Sequence, residues 1–110
     1  MDPYREDLKP IIDELIDRPG VKPGKSFGYP SYKAPNGKIF AFVGSKGLIL
    51  KLPQNRVQEL IAAHDEMHQF SPGGDGSGVW KAWINIDHPD AEVYPQYQHL
   101  IDEAMEYVMD

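Results

Sequence analysis

Among residues whose spacing could do chemistry, His64-Asp-Glu-Met-His68 comes first. On a helix, histidines at i and i+4 share one face and can grip one metal ion. The hydrolytic version of that pattern needs a glutamate directly after the first histidine to act as general base. Here that position is Asp65, and Glu66 falls on another side of the helix. The apolar periodicity before His64 also runs out there, so the pair reads as polar residues at a helix terminus. No metal is expected.

Two glycine-rich stretches invite a phosphate. Gly20-Val-Lys-Pro-Gly-Lys-Ser26 ends like a phosphate loop but is one residue short between its glycines. It leads into Phe-Gly-Tyr-Pro, which reads as strand, where a phosphate loop opens a helix whose amides face the anion. Gly74-Asp-Gly-Ser-Gly78 lacks the dinucleotide spacing and also precedes a strand, so it reads as a hairpin loop able to act as a flap. His88 and His99 are isolated, and no serine sits in Gly-x-Ser-x-Gly. With no cysteine there is no thiolate nucleophile or disulfide. The carboxylates gather on helical segments as solvated faces. Neither a catalytic constellation nor a cofactor is expected.

Trp83 is more informative. By alternation along residues 79–86 it shares a face with Lys81 and Asn85, opposite Trp80, Ala82, Ile84 and Ile86. Tryptophan beside lysine and asparagine is the composition of a recognition patch. If a helix covers that face, Trp83 is core instead. Both readings stand at this point.

The charge is divided along the chain. Arg18, Lys22, Lys25, Lys33, Lys38, Lys46, Lys51 and Arg56 run without one acid through residues 18–58. Residues 1–17 hold six acids against Arg5 and Lys9, and residues 59–110 hold eleven against Lys81. Basic charge interleaved with Tyr29 and Tyr32 suits an anion or a single-stranded nucleic acid. The net charge of −6 disfavours nonspecific nucleic-acid binding. Internal neutralisation of the basic segment by its acidic flanks is therefore the expectation.

These residues need a scaffold, and 110 residues make one domain with one core. Leu8, Ile11, Ile12, Leu15 and Ile16 form a helical stripe, with Pro10 in a first turn capped by Asp7 or at a kink. Residues 21–24 connect to a strand at 26–33, where Pro30 demands an edge or a bulge. Asn36-Gly37 is a type I′ turn signal leading to a strand at 38–43 that is apolar on both faces. After Gly44-Ser-Lys-Gly47, Leu48, Leu50 and Leu52 alternate inward. Pro53 opens a helix carrying Val57, Leu60 and Ile61, which ends near His64. A strand at 67–71 with Phe70 inward and a strand at 79–86 follow. Pro95 opens a last helix burying Tyr97, Leu100, Ile101, Ala104 and Val108. The fold class is α+β, a single antiparallel sheet with helices, in the order α-β-β-β-α-β-β-α.

Gly24-Lys-Ser-Phe-Gly-Tyr-Pro30, Asn36-Gly-Lys-Ile-Phe-Ala41, Leu50-Lys-Leu-Pro53, Arg56-Val-x-x-Leu60 and Phe70-x-Pro-Gly-Gly74 occur in this order, closed by Trp83 and the last helix. In these motifs the chain resembles the N-terminal domain family of TfoX/Sxy, named for a bacterial regulator of competence. The resemblance covers nearly everything after Gly20. It implies a stand-alone copy of that domain over residues 1–110, an α-β3-α-β2-α fold like YjbR-like and secretion-chaperone-like domains, and a regulatory or protein-interaction role. It hands on no catalytic residues.

The expectation is thus a non-catalytic module with a protein partner or a second copy of itself. The alternative is anion or nucleic-acid binding through residues 18–58. Lys25, Tyr29, Tyr32, Lys38, Lys81, Trp83 and Asn85 are the candidate binding residues. The N-terminus has no basic-then-apolar leader and no apolar run spans a membrane, so a cytoplasmic location is expected.

Overall fold

Pro10 decides where the first helix begins. In the computed structural model, which describes residues 4–26, 28–71 and 80–110, helix α1 spans Lys9–Leu15 with the proline in its first turn. There its missing N–H costs no intrahelical bond. Leu8, Ile12 and Ile16 are buried, with Ile11 and Leu15 packed beside them, as their spacing predicts. Asp7 does not cap the helix. The N-cap is Leu8, without a side-chain bond, and Asp7 pairs with Arg5 at 2.8 Å.

The segment expected as one strand over 26–33 folds back on itself. Strand β1, Lys22–Ser26, pairs with β2, Tyr29–Lys33, with Ser26 opposite Tyr29 and Gly28 at φ 82° in the reversal. Glycine takes that left-handed conformation without a Cβ penalty. Residue 27 lies outside the described residues. Pro23 sits in edge strand β1, and Pro30 precedes the first β2–β3 pair, Ser31 with Phe42.

The remaining elements are β3 (Ile39–Gly44), β4 (Gly47–Lys51), α2 (Gln54–Ala63), β5 (Met67–Phe70) and β6 (Trp80–Ile86). A 3₁₀ segment, Ala91–Tyr97, runs into α3, Gln98–Met109. All six strands form one antiparallel sheet ordered β1-β2-β3-β4-β6-β5. The α+β class holds, and the element order matches the expected one apart from the added strand. No helix among the described residues is long and apolar enough to cross a membrane.

The Asn36-Gly37 turn is shifted by one residue. The Gly37 N–H donates to the Ala34 carbonyl at 2.8 Å, so Pro35 and Asn36 are the central pair. Gly37 follows at φ 86°, a left-handed glycine closing a three-residue hairpin loop in which the Ala34 N–H donates to the Lys38 carbonyl. The Asn36 side chain accepts from the Lys38 N–H and donates to the Val108 carbonyl at 2.8 Å, pinning this hairpin to the end of α3.

Every buried helix residue belongs to one core on one side of the sheet. Leu48, Leu50 and Leu52 point into it, as alternation predicts, along with Ala41, Val43, Ile84 and Ile86. Phe40 joins them out of phase. Tyr32 faces Ala41 but Lys33 faces Ile39, which makes Phe40 the extra residue of a β-bulge. The bulge places two successive β3 residues in the core and leaves Phe42 on the other side.

Tyr97, the last residue of the 3₁₀ segment, ties the start of α3 to the turn before β5. Its hydroxyl donates to Glu66 at 2.8 Å, and this bond holds the Glu66 carboxyl below its ordinary value of 4.5. A carboxyl depressed in the folded state adds stability at neutral pH that is lost as pH falls through its folded value. Tyr97→Phe is therefore expected to destabilise by about 1 kcal/mol at pH 7. In urea melts the gap to wild type should close on acidification below pH 4.5. A gap that stays constant to acid pH would refute this role.

Candidate recognition face

The side of the sheet away from the helices is built around Phe42. Alternation and register run one row across it: Ser31 on β2, Phe42 on β3, Ile49 on β4, Asn85 on β6 and His68 on β5. Phe42 is fully buried although every buried helix residue lies on the opposite side. Aromatic rings surround it. Tyr29 stacks at 6.3 Å, Phe70 meets it edge-on at 5.3 Å, and Trp83 leans over it at 5.5 Å. Trp80 extends the cluster, packing 5.3 Å from Phe70 and 5.9 Å from Trp83. These separations are the favourable range for aromatic pairs.

Trp80 and Phe70 sit here against expectation. Gln69 faces Ile84 but Phe70 faces Trp80, so three residues of β6 have no partner on β5 and strict alternation breaks. Trp80 comes round to the side of Trp83 instead of following Ile84 and Ile86 inward. Met67, not Phe70, supplies β5's core side chain. Trp83, left open between core and surface, stands half-buried on the helix-free side. The ammonium of its cross-strand neighbour Lys51 lies 5.7 Å from its ring centre, within cation–π range.

The other candidates divide. Tyr29 belongs to the cluster. Lys38 is exposed in the β2–β3 hairpin, and Lys81 is exposed on β6. Lys25 is exposed on β1 opposite Pro30, alternating to the side of Tyr32. Tyr32 and Asn85 are committed elsewhere. Tyr32 is 3% exposed and its hydroxyl donates to Asp13 of α1. Burial first, and then that bond, push its pKa far up, so it stays a protonated structural donor. Asn85 is 6% exposed and donates to the Lys46 carbonyl at 3.0 Å, holding the β3–β4 turn.

Charge follows the same division. Lys22 and Lys33 face each other across β1 and β2, and both alternate onto the side of Ser31 and Phe42. The six strands carry five lysines, His68 and no carboxylate. Internal neutralisation, expected for the whole basic segment, reaches its arginines: Arg18 pairs with Asp102, and Arg56 with Glu59 and Glu103. Among the described residues, Lys22, Lys25, Lys33, Lys38, Lys46 and Lys51 make no ion pair. A groove between α1 and the β1–β2 hairpin is different. Its Lys9 pairs with Asp13, which also accepts from Tyr32, and its Arg18 pairs with Asp102, so its cations are already satisfied.

His64 closes α2 in an extended conformation and His68 lies on β5, so the two histidines do not share a helix face. Among the described residues no group of three or more His, Cys, Asp and Glu could hold a metal. Residues 74–78, the possible flap, lie outside the described residues. Lys22, Phe42 and Phe70 were absent from the sequence-derived candidates. The signal that could have found the face is the lack of any acid in all six strand segments. Comparison with family models, with curated proteins and with solved structures finds no match to this chain.

Proposed function

We propose that the protein is a non-catalytic binding module that takes an anionic partner on the helix-free side of its sheet. The observation that carries this is Lys22, Lys33 and Lys51, which share that side with the aromatic cluster, lie on strands that carry no carboxylate, and make no ion pair among the described residues. Lys22 directly opposite Lys33 is a like-charge pair, which destabilises a sheet until a counter-charge arrives. An anion laid across them removes that repulsion. The resemblance to the TfoX/Sxy N-terminal domain family supports a regulatory role, in transcription and in the cytoplasm, without catalysis.

A protein partner is the second reading, favoured by the partly exposed rings of Tyr29, Phe70 and Trp83. Two copies meeting face to face would bring the lysines together, so charge favours an acidic partner over self-association. Inorganic polyphosphate tests the anion reading, with tryptophan emission as the signal. Binding is expected at about 50 mM salt and should weaken steeply by about 200 mM as counterions compete. Lys22→Glu with Lys33→Glu should weaken it further. No binding at low salt, or binding indifferent to salt, would sink the proposal.

A further inference from the structure

We infer that the anionic partner is a single-stranded nucleic acid, its phosphates on Lys22, Lys33 and Lys51 and its bases stacked on Trp83 and Tyr29. The inference rests on the anion-binding reading above and deepens it. A simple polyanion needs only cations. This face interleaves the cations with rings: Lys51 stands over Trp83, and Tyr29 lies on the same strand as Lys33. That pairing of ammonium and aromatic ring matches the repeating unit of a nucleic acid strand, a phosphate beside a planar base.

The dimensions agree. From β1 to β6 there are four strand spacings, about 19 Å, so the Lys22–Lys33 pair and the Lys51–Trp83 pair lie far enough apart to hold different nucleotides of one strand. Stacking requires unpaired bases whose faces can be splayed onto the rings, which a duplex withholds. Any base has such a face, and Asn85, whose amide could have read a base edge, is spent on the Lys46 carbonyl. Recognition here is therefore tolerant of sequence.

The experiment uses the full chain at about 50 mM salt with four probes: a thymidine oligomer of about twelve nucleotides, an abasic strand of the same length, the corresponding duplex, and inorganic polyphosphate. The thymidine strand should bind about tenfold more tightly than the abasic strand or the duplex and quench tryptophan emission. Trp83→Ala should remove most of the advantage over the abasic strand, and Trp83→Phe should restore part of it. Lys33→Glu, at an exposed position compatible with folding, should weaken thymidine and abasic strands alike. Equal binding of thymidine, abasic and polyphosphate probes overturns the single-strand inference and leaves the anion-binding reading intact. A duplex bound as tightly as the single strand also overturns it. Failure of all four probes removes both readings.

Discussion

Alanine at Gly47 should leave the chain without a stable fold. This glycine opens β4 at φ 118°, in the region that side-chain-bearing residues rarely enter. A Cβ there would lie 2.1 Å from the Ile86 carbonyl oxygen and 2.8 Å from the Tyr94 hydroxyl. The first contact is with backbone, so no rotamer change relieves it; β4 and β6 would have to part. Ile86 and Tyr94 are also bound to each other, the hydroxyl donating to that same carbonyl at 2.7 Å in a buried site. Backbone strain costs about 1–3 kcal/mol, and overpacking a further 1–3 kcal/mol. Loss of the buried hydrogen bond adds about 1–3 kcal/mol. A domain of this size has about 5–15 kcal/mol in all. Circular dichroism of Gly47→Ala should show lost cooperativity or a midpoint far below wild type in urea. Gly24→Ala is the control, since nothing lies within 4 Å of its Cβ and its φ is not positive, so it should melt like wild type. A Gly47→Ala protein with an unchanged midpoint would show that β4 and β6 are not held as closely as described.

Phe42→Ala should cost about 3–5 kcal/mol, the range for truncating a buried phenylalanine. The unusual part is where the loss falls. Phe42 is fully buried outside the core cluster that the helices build, and among the described residues it packs with the rings of Tyr29, Phe70 and Trp83. Its removal should loosen the recognition face first, shifting Trp83 emission to the red before the helices melt. Phe42→Leu should recover most of the stability and less of the emission, because it refills volume without a ring to stack on. If Phe42→Ala melts within about 1 kcal/mol of wild type, the cluster is not what holds this side together.

What could be read from the residues was what local period determines. The stripe of Leu8, Ile12 and Ile16, the alternation of Leu48, Leu50 and Leu52, and the stripe from Leu100 to Val108 landed as expected, because each depends only on helix or strand geometry. Pro95, expected to open the last helix, lies inside the 3₁₀ segment before it. The misses within the sheet sit where alternation is interrupted by one or a few residues. Phe40 is in the core through a bulge, and Trp80 is on the open side through a register jump. Nothing in either residue's neighbours announces the break, since the partner strand creates it. The hairpin within residues 22–33 was hidden for a related reason: Gly28 reads equally well as an interruption in a strand or as the reversal it is. Charge was half legible. The acid-free segment was plain, but only the fold shows that arginines reach carboxylates on α3 while the lysines are left beside the aromatic face.

The composition of β1 also settles how the sheet can and cannot grow. Lys22-Pro-Gly-Lys-Ser26 is an outer strand whose free rim would be the natural place for a foreign chain to add a seventh strand. Pro23 has no N–H to offer such a visitor, and the lysines of a like edge would repel it. The protein is thus protected on this rim against the edge-to-edge stacking that starts fibrils.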